Sequence, residues 1–247
     1  MKISHESPIS ADALMGDLVQ LANPRFATDL LWFFKTGPGE YGEGDEFLGI
    51  KVPVIRQAIK PYRELAADQL EQLMQSRFHE HRFAALVILV AQFERAKDPD
   101  IQQSLFELYL HFVDLGQVNN WDLVDVSASK LGAYLIGKPF ANDLLLELAK
   151  TKKLWHQRVA VILTFPLIRQ YELDQTFMLA NLLVDHEHDL INKAVGWMLR
   201  EAGLRDGRRL RGFLEEHAAT MPRTCLRYSI EKFSEKERKD WLSRSAR

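Results

Sequence analysis

The chain has 247 residues, 47% of them hydrophobic and 27% charged. That is enough for one large domain or two small ones with a sizeable core, and the composition excludes a disordered chain. No apolar run approaches the roughly 18 residues of a membrane span, the opening MKISHESPIS lacks the apolar centre of a signal peptide, and the single cysteine, Cys225, excludes an internal disulfide and a cysteine-based zinc cluster. A soluble intracellular protein is expected. The net charge of −2 conceals an asymmetry: residues 191–247 hold 14 Lys and Arg against 8 Asp and Glu, the rest 18 against 26. The basic end is either a binding surface or a solvated charged face.

Helical periodicity runs through nearly every long segment, with apolar residues at i, i+3, i+4 and i+7. In chain order these are ISADALMGDLVQLA, VPVIRQAIKPYREL, DQLEQLMQS, HRFAALVILVAQFERA, DIQQSLFELYLHFVD, ANDLLLELAKT, WHQRVAVILTFPLIRQY, DQTFMLANLLVDH and INKAVGWMLREAGL. Alternating strand patterns with hairpin turns are absent, so the fold class is all-α. Arg82, Arg158, Lys193 and Arg227 each precede a small-and-apolar helical stretch, and Asp125 falls in the same series. Successive members are 43, 33, 35 and 34 residues apart. Such a period is that of helix-pair solenoids, whose repeats bury their faces against their neighbours. The expectation is one HEAT-like repeat domain over residues 1–247 with a concave face, and with TGPGEYGEGDE (36–46) as an inserted loop. If the basic residues line the concave face, Asp125 is the one acid among them.

Several motifs carry less than they promise. GPGEYG (37–42) matches G-x-G-x-x-G, but it follows a helical stretch and carries Glu40, Glu43, Asp45 and Glu46, which repel phosphate. FHEHR (78–82) and DHEHD (185–189) resemble metal sites, but alternating residues do not share a helix face and no further ligand converges on them; they read as charged inter-helix loops, and no metal is expected. RDGRRLRG (205–212) is a solvated helix start or a phosphate contact. Trp32 and Trp241 read as core. Trp155 lies three residues before Arg158, and Trp197 four after Lys193 and three before Arg200. Trp121 and Asp125, at i and i+4, share a helix face. Asp122 points elsewhere and is read as structural support for the helix start, with Asn119 or Asn120 as the N-cap. Taken alone, Asp125 is either the ion-pair partner of Arg158 or another base, or a functional carboxylate.

FFKTGPGEYGEGDEFLGIKVPVIRQ (33–57), NNWDLVDVSASKLG (119–132), WHQRVAVI (155–162) and NKAVGWMLREAG (192–203) together give the sequence a family likeness. It resembles the AlkD-type DNA alkylation repair proteins, bacterial HEAT-like-repeat DNA glycosylases. The resemblance implies that Asp125 is the catalytic carboxylate, Trp121 and Trp197 the paired active-site tryptophans, and Arg158 a DNA-facing arginine. It also implies backbone contacts from Lys51, Pro53 and Arg56; Lys193 and Arg200, in the matching KAVGWMLRE segment, join the expected DNA-binding set. It further implies duplex DNA with cationic N3- or N7-alkylated purines as partner, no cofactor, and a lesion that need not be flipped into a tight pocket; a monomer in the bacterial cytosol is the default expectation. The loop 36–46 is longer than in the best-known members, and its acidity predicts that it stays away from DNA. Some members of the family bind DNA without glycosylase activity, which is the alternative reading.

Overall fold

The computed structural model describes residues 9–244. Among these the fold is all-α, and the only extended pairing is an isolated bridge between Glu46 and Phe78. The described residues open with α1 (Ala11–Gln20) and α2 (Pro24–Phe33), whose N-caps, Ser10 and Asn23, each accept a first-turn amide. There follow α3 (Val52–Ala58), α4 (Ala67–Met74), α5 (His79–Arg95), α6 (Pro99–Asp114) and α7 (Trp121–Leu131). Next come α8 (Ala141–Lys150), α9 (Leu154–Leu163), α10 (Phe165–Arg169), α11 (Asp174–Leu183) and α12 (Asp189–Gly203), then α13 (Gly207–His217), α14 (Arg223–Ser229) and α15 (Glu235–Arg244).

Two of the periodic segments break in the middle, each at a proline. Pro61 has no amide to continue α3, which passes into a 3-10 turn over Lys60–Tyr62. Pro166 likewise separates α9 from the short α10, with Thr164 between them. Periodicity registers the buried face and is blind to one missing donor.

The chain divides into two compact units between Ser127 and Ala128. In the first, α4 packs on α5, α5 on α6, and α1 on α3 and α4, around fully buried Leu14, Leu70, Leu86, Ile88 and Phe112. In the second, α8 packs on α9, α11 on α12, and α12 on α9 and α14. Neighbour-on-neighbour burial is the packing that the repeat period predicts. Gly196 permits the α12–α14 approach: a Cβ there would lie 2.6 Å from the Cys225 carbonyl and 2.6 Å from Tyr228 Cβ. Cys225 is fully buried beneath that contact, and burial pushes its thiol up to about 12 against a Ser229 hydrogen bond that lowers it.

Trp241 is core, 4% exposed, as its sequence setting predicts, but Trp32 is not: it is 81% exposed. The reason lies in its helix. No residue of α2 is buried, and Leu31 and Phe33 are exposed beside Trp32. The helix is held at its ends, by Asn23 donating its amide to the Leu48 carbonyl (2.8 Å) and by Phe34 just past the last turn, which is buried.

Candidate functional site

The segment FHEHR is not a charged loop. His79 to Arg82 form the first turn of α5, and all four side chains are buried. They meet the acidic loop, whose last acid but one, Asp45, is 5% exposed. Its carboxylate accepts from Arg82 Nη2 (2.6 Å) and from Asn119 Nδ2 (2.7 Å). His79 stands between two acids, with Nδ1 3.3 Å from Asp45 and Nε2 2.8 Å from Asp122. Burial opposes charge on this imidazole, but the Asp122 carboxylate and the hydrogen bonds to Asp122 and Asp45 outweigh it and raise the pKa to about 9. Burial also raises Asp45, and there the His79 hydrogen bond, Arg82 and Asn119 prevail, holding the carboxyl below its ordinary range. At neutral pH two acids and two bases therefore cancel inside the protein, which is the condition under which burying charge is tolerated.

The same turn sets the backbone ahead of α3. Glu80, 2% exposed, accepts the amides of Leu48 (2.9 Å), Gly49 (2.8 Å) and Ile50 (3.1 Å). Gly49 sits at φ +81, and a Cβ there would be 2.2 Å from the Asn23 carbonyl. Only glycine combines that dihedral with that approach. The result places Lys51 at the α3 N-cap position, where Lys51, Pro53 and Arg56 are all exposed. At the tip of the loop, Glu40 and Glu43 accept the amides of Gly37 and Gly39, each at 2.9 Å. These carboxylates occupy the amides that a phosphate-binding glycine loop would offer.

Asn120 stands just before α7; its carbonyl accepts the Val124 amide and its Oδ1 the Trp121 amide (2.9 Å). Asn119 is turned to Asp45 instead. Asp122, expected to support the helix dipole, lies in the first turn of α7 and holds His79 of α5. Trp121 is half-buried, stacked on Phe34 (5.5 Å between ring centres, 25° between planes) and edge-on to Phe33 (6.0 Å). Phe34 in turn stacks on Phe47 at 5.1 Å. These rings, with His79 and Glu80, line a cavity of about 360 Å³. One turn on, Asp125 is half-buried. The Tyr109 hydroxyl, fully buried, is raised by that burial, and the Asp125 charge adds to the shift.

The remaining expected residues lie in the second unit. Trp197 is half-buried on α12, 5.7 Å from Phe165. Lys193 pairs with Asp189 (2.7 Å), and Arg200 with Glu201 (3.0 Å) and Glu231. Arg158 is 4% exposed and donates to the Leu190 carbonyl (2.6 Å). Arg82 too is buried, so the basic series is not one open row; Arg227 is its exposed member. In RDGRRLRG, Asp206 caps α13, Arg209 pairs with Asp174 and Arg211 with Glu237. Among the described residues no three His, Cys, Asp or Glu side chains converge as a metal requires. Sequence reasoning missed Asp45, His79, Glu80, Phe34 and Phe47. Their only local signal was the unusual density of charge in FHEHR, since the partners are separated by tens of residues.

The model of the DNA alkylation repair enzyme family matches residues 14–233. The chain belongs to this DNA alkylation repair family. A solved structure described as "Predicted DNA alkylation repair enzyme from Enterococcus faecalis" shares the fold, with a TM-score of 0.68 at 18% identity, over 87% of this chain and 97% of that one. Among curated proteins none matches. Family membership gives the chain a role in repair of alkylated DNA, and the W-D-x-V-D segment that opens α7 lies within the matched span.

Proposed function

We propose that the protein is a DNA glycosylase that excises cationic N3- and N7-alkylated purines from duplex DNA, with Asp125 as the catalytic carboxylate. The observation that carries this reading is the setting of Asp125: partly exposed, one helical turn from Trp121, on a helix whose start is fixed by buried ion pairs. An alkylated purine with a fixed positive charge is already a good leaving group. Its N-glycosidic bond breaks with the electron pair passing to the purine, which leaves neutral, while positive charge builds on the deoxyribose. A carboxylate aimed at that charge stabilises the transition state, and it can accept the proton of the water that attacks the anomeric carbon. Trp121 and Trp197 would hold the nucleotide through their ring faces, which favour cations. Lys51, Pro53, Arg56, Lys193 and Arg200 would bind the duplex, while Arg158, buried against the Leu190 carbonyl, would act mainly by holding that backbone in place.

The test is release of 7-methylguanine from methylated duplex DNA by wild type and by Asp125→Asn. The wild type should release base, and the variant should be at least about 100-fold slower, the scale of removing one electrostatic stabiliser from a transition state. A folded wild type that binds duplex DNA without releasing base would instead be a non-catalytic DNA-structure binder.

A further inference from the structure

Two adjacent side chains in the first turn of α5 reach different segments of the candidate site. His79 has little freedom. Its ring lies against Phe47 (4.7 Å between ring centres) and Phe34 (5.0 Å), and its two nitrogens meet Asp45 and Asp122. Asp122 is in the first turn of α7, one residue after Trp121 and three before Asp125, and its other oxygen accepts the Leu123 amide (2.8 Å). The His79–Asp122 bond therefore ties the start of α7 to α5, and Trp121 and Asp125 ride on that helix. Phe34, which touches the His79 ring, also stacks on Trp121. Glu80 serves another segment. Its oxygens accept the amides of Leu48, Gly49 and Ile50, the three residues ahead of Lys51. Lys51 and Arg56, at the start and in the body of α3, are exposed. Functional groups keep a productive geometry only when the side chains behind them are locked by packing and hydrogen bonds. Here the two sets of supporting bonds are separate, so their loss should be read in different steps.

We infer that His79 and Glu80 are positioning residues for different steps. His79, through Asp122, sets the helix that carries Trp121 and Asp125 for bond cleavage. Glu80, through three backbone amides, sets Lys51 and Arg56 for contact with phosphates. The His79 half rests on the glycosylase reading, the Glu80 half on duplex binding alone. Because the two residues are neighbours on one buried turn, the grip on the backbone and the placement of the carboxylate are set from a common reference.

The experiment is single-turnover release of 7-methylguanine from methylated duplex over a range of enzyme excess, which separates the rate at saturation from the half-saturating concentration. Circular dichroism checks that each variant is folded. Asp122→Asn, the milder change because Asp122 is partly exposed, and His79→Gln should each lower the saturated rate at least about tenfold, since displacing a reacting group by about 1 Å can cost about 100-fold. Half-saturation should stay within about twofold, and the double variant should be no slower than the slower single, because both changes break one link. Glu80→Gln should do the converse: half-saturation rises about tenfold while the saturated rate stays within about twofold, the pattern of lost uniform binding. In filter binding it should also lower the slope of log affinity against log salt by up to about 2, and lower it no further when added to Lys51→Ala with Arg56→Ala. Glu80→Asp keeps a carboxylate but withdraws it by one carbon; it should give the same signature at smaller amplitude, and it serves where Glu80→Gln does not fold. Loss of rate and binding together in folded variants, a defect in binding alone for Asp122→Asn, or an unchanged salt slope in the folded Glu80 variants overturns the division. A wild type that binds duplex but releases no base would sink the glycosylase reading and the His79 half with it, and the salt slope would then decide the Glu80 half by itself.

Discussion

His79 holds its proton because two carboxylates flank it, and His81, two residues on, is kept neutral. Burial and then the Arg82 charge depress His81 to about 4. The two act in opposite directions on stability. A group raised from 6.5 to about 9 stabilises fully below pH 6.5, and its contribution disappears as pH rises through 9. A histidine lowered to about 4 costs nothing above pH 6.5 and destabilises increasingly as pH falls from 6.5 to 4. Stability should therefore decline on both sides of about pH 6.5. Thermal unfolding followed by circular dichroism across pH 4 to 9 checks this. His79→Gln should lose on the order of 2 kcal/mol at pH 6.5 and flatten the alkaline limb alone; an alkaline limb unchanged in the variant would show that the imidazole is not the titrating group. The sign at His79 was not readable from HEH, because its partners arrive from residues 45 and 122.

At the level of elements, α2 and α5 mark the extremes. Helix α5 buries its residues almost without interruption from His79 to Val90, whereas α2 buries none. Local opening should follow that contrast, since buried apolar packing is what resists it. Hydrogen exchange should protect the amides of 83–90 most strongly and those of 27–33 least among the helices of the first unit; comparable protection would mean that α2 is held by more than its ends. Gly49→Ala addresses one of those ends. It forces a Cβ into the Asn23 carbonyl at a positive φ and should cost at least about 2 kcal/mol in denaturant unfolding. Helix existence was legible from periodicity throughout, because a buried stripe leaves its period in the sequence. The breaks at Pro61 and Pro166 needed attention to a single donor, and Trp32 was misplaced because amphipathicity names a hydrophobic face without saying what covers it. Of the candidate site, Trp121 and Asp125 were legible through their i,i+4 spacing and the family likeness. The aromatic wall from residues 33, 34 and 47 was not.

For the whole molecule, DNA affinity should depend on salt through the cations that are free to meet phosphates. Lys51 and Arg56 are exposed, so Lys51→Ala with Arg56→Ala should reduce the slope of log affinity against log salt by about 2, roughly 1 for each phosphate no longer neutralised. Arg158→Ala should behave differently. Its guanidinium is buried against the Leu190 carbonyl, so the main effect should be on stability, a decrease on the order of 3 kcal/mol, with a smaller change in slope. Filter binding at several salt concentrations, together with urea denaturation of the same variants, separates the two effects. An Arg158→Ala protein of wild-type stability and reduced slope would make that arginine a phosphate ligand in its own right.

The buried Cys225 makes the molecule convenient to observe. It is the sole cysteine in the chain, fully enclosed, and its thiol stays protonated well beyond neutral pH, so thiol-reactive dyes should ignore it. A cysteine introduced at exposed Pro38, on the loop that leaves the aromatic wall at Phe34 and rejoins it at Phe47, would then carry a single fluorophore on that loop. Ligand occupancy could be followed in real time, on unmodified DNA and damaged DNA alike, with no second labelling site to silence.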